Sequence, residues 1–191
     1  MIIVEDNFYD DPEEVYQKAI SVKYEEEGDP LLPEGHAGSR SLKPYYEDIA
    51  LEEISRLLQF PVESGSLKDN AKFQYCTQND RVWVHTDPFE YAAVVYLDRY
   101  VPVNAGTSFY TWKETNQNTL PVEYESEPQR FFDEHPYPLD MTKWEENLRI
   151  GLRFNRIIIY PGEYFHDATN YYGNSFEDAR LFQTFFMNRK K

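Results

Sequence analysis

A single cysteine, Cys76, stands in a chain of 191 residues. That excludes an intramolecular disulfide framework and denies a zinc ribbon or a dithiol redox pair its second thiol. Basic charge is also scarce, with 19 Lys and Arg against 34 Asp and Glu and a formal net charge of −15. Such a balance works against nucleic acid as a partner, because a phosphate backbone rewards cations. No stretch approaches the roughly 18 uninterrupted apolar residues of a membrane span. The opening Met1-Ile2-Ile3-Val4-Glu5-Asp6 lacks a basic n-region, and its apolar run stops at once. The expectation is a soluble, cytoplasmic protein, its acidity serving mainly solubility. What the chain has in plenty is aromatic: 16 Tyr and 13 Phe, enough to dominate the single core that a chain of this length can bury.

Periodicity then divides the chain. Ile2 to Val4 reads as a short strand. Asp11 as N-cap, Pro12 at the first helical position and Glu14 closing a capping box predict a helix over 12–22. Residues 25 to 45 read as a loop, containing His36 and Arg40. Ile49, Leu51, Ile54, Leu57 and Leu58 recur at helical spacing and predict a second helix ending before Pro61. From Lys72 onward the pattern is β: Lys72 to Thr77, Val82 to His85, Tyr91 to Leu97, Thr107 to Trp112, Phe154 to Tyr160 and Arg180 to Met187. Residues 114 to 140 are polar and acidic and read as an insertion with little regular structure; Trp144 to Leu148 reads as a short helix. Helices followed by strands, without βαβ alternation, predict an α+β domain with an antiparallel sandwich or barrel. One domain over 1–191 is expected, with 1–70 supporting a core at 71–188 and the insertion falling near 114–150.

Chemistry concentrates in His85-Thr86-Asp87, followed much later by His166 and then Arg180. A lone His-x-Asp is weak, and a surface turn accounts for most of them. Here it falls where a β-prone segment gives way to Pro88, and alternation about Thr86 puts His85 and Asp87 on one face. His166 follows the strongest strand of the C-terminal half. Two imidazoles and a carboxylate suit ferrous iron held on one face with the opposite positions open. An arginine nearby suits the far carboxylate of a bound diacid.

At this point the chain resembles the 2-oxoglutarate and Fe(II)-dependent dioxygenases of the prolyl-hydroxylase-like type, over about residues 70 to 188. The resemblance rests on Tyr75, His85-x-Asp87, Val94-Val95-Tyr96-Leu97-Asp98, Ala105-Gly106-Thr107-Ser108-Phe109, the run Asn155 to Gly162, His166 and Arg180, in that order. It implies a double-stranded β-helix, a jelly-roll or cupin-like barrel flanked by N-terminal helices. It implies Fe(II) on His85, Asp87 and His166, and 2-oxoglutarate with its distal carboxylate on Arg180. Tyr75 and Tyr96 would offer it hydroxyl hydrogen bonds, although both are equally readable as ordinary sheet aromatics. Dioxygen is the further reactant and ascorbate a stimulant. Two departures stand out: Ala105 replaces the first Gly of the family's Gly-Gly pair, and Phe182 replaces the Ser or Thr often found two residues after the arginine, with Gln183 and Thr184 following. Halogenases of this architecture replace the acidic ligand with a small residue; Asp87 is present, so the resemblance favours hydroxylation. The expected substrate is an amino-acid-like small molecule or a protein side chain. A non-catalytic metal-binding β-barrel, serving as sensor or interaction module, is the rival. A zinc hydrolase would lack a general base beside the ligands. The oligomeric state is not legible.

Overall fold

The computed structural model describes residues 1–25, 36–65, 68, 70–135 and 138–191. The element order is β1 (Ile3–Asp6), α1 (Pro12–Ser21), β2 (Ser39–Arg40), α2 (Glu47–Leu58), β3 (Val62–Ser64), β4 (Lys72–Cys76), β5 (Tyr91–Tyr96), β6 (Gly106–Trp112), α3 (Pro128–Glu134), β7 (Trp144–Gly151), β8 (Arg156–Pro161), β9 (His166–Ala168) and β10 (Arg180–Arg189). The cap of α1 forms as its sequence requires: the Asp11 carboxylate accepts from the Glu14 N–H, and Pro12 opens the helix.

Strands β1, β8, β5, β10, β4 and β2 lie side by side in that order, and β3 also pairs with β10; β7, β6 and β9 form a second sheet. All these pairings are antiparallel. The α+β architecture with antiparallel sheets is therefore as expected. The described residues form two hydrogen-bonded sheets and do not close into a barrel.

The large sheet is covered on both faces, which is why its strands read as nearly continuous apolar runs. Ala93, Val95, Leu97, Ile157, Ile159, Leu181, Phe185 and Met187 pack with Val15 and Ala19 of α1 and Ala50, Ile54 and Leu58 of α2. Alternate residues, Ala92, Val94, Tyr96, Ile158, Tyr160 and Phe182, meet Phe109 and Ile150 of the small sheet. A third cluster, Tyr110, Trp112, Phe131, Trp144 and Phe165, seats the insertion on the far side of that sheet.

Three expectations differ from the structure. Trp144–Gly151 is a strand and not a short helix, because it pairs with β6 along its length, Thr107 opposite Ile150 and Trp112 opposite Trp144. Tertiary pairing there overrides the helical leaning of its Glu and Leu residues. The insertion is more ordered than its polarity suggests: it contains α3 and two 3₁₀ turns, Val122–Tyr124 and Met141–Lys143. Val82 to His85 makes no strand, only a bridge from His85 to His166. Of the loop read at residues 25 to 45, 26–35 lie outside the described residues, and Ser39–Arg40 form the short strand β2 against β4.

Candidate metal centre and its cavity

His85, Asp87 and His166 converge, with one ligand atom from each lying within 4.8 Å of the others. The backbone does the gathering. His85 and His166 exchange two main-chain hydrogen bonds of 3.0 Å, locking the start of β9 to the His-x-Asp segment. The Asp87 N–H donates to the Gly162 carbonyl at 2.8 Å, and the Gly162 N–H donates to Glu90 O at 3.1 Å. This clasp needs glycine: a Cβ at position 162 would meet Phe89 O at 2.2 Å and Asp87 Cβ at 3.2 Å.

Both imidazoles are oriented from behind. His85 Nδ1 lies 2.9 Å from Trp83 O, and His166 Nδ1 lies 2.7 Å from Tyr164 O. A carbonyl only accepts, so each Nδ1 carries the proton and each Nε2 lone pair faces the centre. His166 Nε2 lies 3.3 Å from Asp87 Oδ2. Burial and the neighbouring His166 push His85 down to about 4. Burial would raise Asp87 and lower His166, but their mutual attraction outweighs it, so Asp87 is held below and His166 above its ordinary value. Two neutral nitrogen donors and one carboxylate, closely grouped and backed by carbonyls, fit a divalent iron.

The trio opens into a cavity of about 920 Å³, which Arg180 also lines. Arg180 is 2% exposed. Its Nη1 donates to Asn170 O at 3.2 Å, and its Nε is buried with no hydrogen-bond partner. The rings of Tyr96, Tyr171 and Phe182 stand 5.5 to 5.6 Å from the guanidinium carbon. A guanidinium so enclosed, with an unused donor, is a costly arrangement unless an anion completes it. The distal carboxylate of 2-oxoglutarate would do so.

The tyrosines divide. Tyr96 is fully buried on the cavity side of the sheet, and its hydroxyl shares a 2.8 Å hydrogen bond with Thr107 Oγ1, which itself lines the cavity. Tyr75 lies on the opposite face, its ring 5.1 Å from Tyr24 and 4.9 Å from Phe176. Alternation along β4 sends Gln74, and not Tyr75, into the cavity, so the expected hydroxyl contact from Tyr75 is not available.

Trp83 and His36 are wall residues, and Gln129, Phe132 and Asp133 of α3, with Leu139, form the part of the wall that the insertion supplies. His135 instead packs on Trp112 at 4.8 Å. Asp167, beside His166, is buried and accepts from the Tyr110 hydroxyl at 2.9 Å. Sequence reasoning passed over Thr184, Gln74 and a site role for Gly162. Counting alternate residues from Arg180 along β10 reaches Thr184; nothing local marks Gly162, whose constraint comes from a segment brought to it by the fold.

The chain belongs to a family of unknown function, DUF6445, whose model matches residues 1–178. No curated protein matches it in sequence. Among solved structures it is similar to HygX from Streptomyces hygroscopicus with nickel, 2-oxoglutarate and hygromycin B bound. That match has 12% identity and a TM-score of 0.56, covering 99% of this chain and 83% of HygX. HygX with iron bound matches at 10% identity and a TM-score of 0.51, covering 99% and 82%. SnoN, a non-haem α-ketoglutarate-dependent epimerase from nogalamycin biosynthesis, matches at 14% identity and 0.51, covering 97% and 77%. The two antiparallel sheets and three helices are thus the fold of these proteins. No helix among the described residues is long and apolar enough to cross a membrane.

Proposed function

We propose that this protein is a non-haem Fe(II) and 2-oxoglutarate-dependent oxygenase that hydroxylates a C–H bond of a small molecule. The observation that carries the reading is Arg180: a buried guanidinium with an unpartnered Nε, opening into the same cavity as a His-Asp-His trio. A structural metal site alone has no use for that cation. Bound metal and co-substrate would supply oxidative decarboxylation with dioxygen, releasing succinate and carbon dioxide and oxidising a nearby substrate. His85, Asp87 and His166 would hold the iron, leaving positions open for small molecules. Arg180 would orient 2-oxoglutarate by its far carboxylate, and the apolar walls around it strengthen that ion pair by excluding water. Tyr96, through Thr107, keeps the intervening wall in place. A reducing, cytoplasmic setting suits both ferrous iron and a free thiol at Cys76.

SnoN's chemistry makes epimerisation a second outcome of the same oxidising step, and identification of the product decides between them. The test of the class is succinate formed from 2-oxoglutarate under air with Fe(II) and ascorbate, alongside anaerobic binding of 2-oxoglutarate. Arg180→Met is expected to weaken that binding roughly 30-fold or more, since losing one partner of a buried charge pair costs about 2 kcal/mol or more. Metal binding with neither co-substrate binding nor succinate would replace the oxygenase by the non-catalytic metal barrel.

A further inference from the structure

The hydroxyl contact that Tyr75 cannot make is open to another tyrosine. Tyr160 stands on β8 opposite Ala92 of β5, and both residues line the cavity. Tyr160 is 3% exposed. Its ring meets Phe109 edge-on at 5.1 Å and tilts against the His166 imidazole at 4.7 Å. That packing sets it at the metal end of the cavity, since the rings around the Arg180 guanidinium are those of Tyr96, Tyr171 and Phe182. The small side chain of Ala92 leaves room beside it.

Packing accounts for the ring but not for the hydroxyl. Among the described residues the Tyr160 hydroxyl makes no hydrogen bond. The side-chain polar atoms that are both unpartnered and shut off from space are the Tyr172 hydroxyl, Arg180 Nε and Thr184 Oγ1. The Tyr160 hydroxyl is not one of these, so it keeps open space in front of it. For a side chain so buried, that space is the cavity. Buried tyrosines ordinarily find a partner for the hydroxyl, and phenylalanine would fill the same volume with no polar group to desolvate. Burial and then the Asp87 carboxylate push its pKa well above the ordinary phenol value, while Arg180 pulls the other way. The hydroxyl thus stays protonated, a donor in the field of both the trio and the arginine.

A donor so placed calls for an acceptor that arrives with the ligand. 2-Oxoglutarate brings carboxylate and keto oxygens, all acceptors, and no donor of its own, so every polar group that holds it must donate. With its far carboxylate on Arg180, its oxo-acid head would face the trio, where Tyr160 stands. Resting on the oxygenase reading above, we propose that the Tyr160 hydroxyl donates a hydrogen bond to the oxo-acid head of 2-oxoglutarate, so that protein donors hold the co-substrate at both ends.

The test is calorimetric titration of the Ni(II)-loaded protein, without air, with 2-oxoglutarate and with 2-oxobutanoate, which keeps the oxo-acid head and lacks the far carboxylate. Tyr160→Phe removes the hydroxyl and keeps the ring. It should weaken both acids by the same factor, about 10-fold or more, the size expected of a hydrogen bond to a charged group. Its Ni(II) affinity should match the parent's, and it should melt no lower, which separates lost binding from lost folding. Arg180→Met should instead weaken 2-oxoglutarate and leave 2-oxobutanoate as it was. Equal binding of 2-oxoglutarate by Tyr160→Phe and the parent would overturn the proposal and leave the oxygenase reading standing. A loss confined to 2-oxoglutarate would overturn it too, by moving the hydroxyl to the far carboxylate. So would a matching loss of Ni(II) affinity, the mark of a residue that only supports His166. A parent protein that binds neither acid removes the oxygenase reading and this contact together.

Discussion

At the scale of single residues, the members of the metal trio set one another's proton affinity before any cation arrives. Asp87 is held low and His166 high by each other, whereas burial and His166 keep His85 neutral down to about 4. A metal therefore competes with one proton, on His166, only below its raised pKa, and with none on His85 above about 4. Affinity for Co(II) or Ni(II) is expected to be flat above the raised pKa of His166. It should fall about tenfold per pH unit below it, a one-proton slope. Titrations across this range should show that slope; a two-proton slope would mean that both imidazoles are protonated together. The trio and Arg180 were legible in the sequence because each sits at a strand end or in a motif whose residue types already specify the chemistry. Tyr75 was not, because alternation says only that Gln74 and Tyr75 face opposite ways. Which of them meets the cavity is decided by the pairing of β4 with β10.

Elements hold those residues in place, and the tightest link is the turn after β8. A methyl group at position 162 would collide with the Phe89 carbonyl at 2.2 Å, so the Asp87 segment must shift. Gly162→Ala should lower metal affinity on the order of 10-fold or more, the size of effect seen when the support behind a ligand is lost. Gly151→Ala is the control, since a Cβ there meets nothing within 4 Å; equal effects from both would remove the clasp from the account. The N-terminal strand offers a second test. Asp6 bridges Arg156 at 2.7 Å and Arg153 at 2.7 Å, fastening β1 to β8. The hydrogen bond to Arg156 is the chief cause lowering the Asp6 pKa, against a smaller cost of burial. A depressed carboxylate stabilises the fold above its unfolded pKa and loses that contribution as pH falls through the folded value. Asp6→Asn should thus cost roughly 1 kcal/mol at neutral pH, a difference that vanishes in melts taken well below pH 3.8. Helices α1 and α2 and most strands were readable from caps and periodicity, whereas α3 lies in a segment whose polarity hid it. The β7 strand was not, since its Glu and Leu residues favour a helix until β6 is there to pair with.

For the whole molecule, the question is how an anionic co-substrate enters a protein of net charge −15. Two fields compete. The summed negative charge repels 2-oxoglutarate at a distance, while Arg40, Arg81 and Arg180 in the cavity wall attract it once inside. Their ranges differ: salt at physiological strength screens exposed charges beyond about 8 Å, whereas an enclosed guanidinium is screened far less. Raising ionic strength should therefore remove the long-range repulsion first and leave the proposed contact at Arg180 largely intact. The expected result is an association rate for 2-oxoglutarate that increases between low and physiological salt, opposite to electrostatically steered binding, with little change in dissociation. Stopped-flow binding to the Ni(II)-loaded protein measures both. An association rate that falls with salt would mean that the arginines outweigh the net charge even at the mouth, and that the acidic surface is turned away from the path of entry.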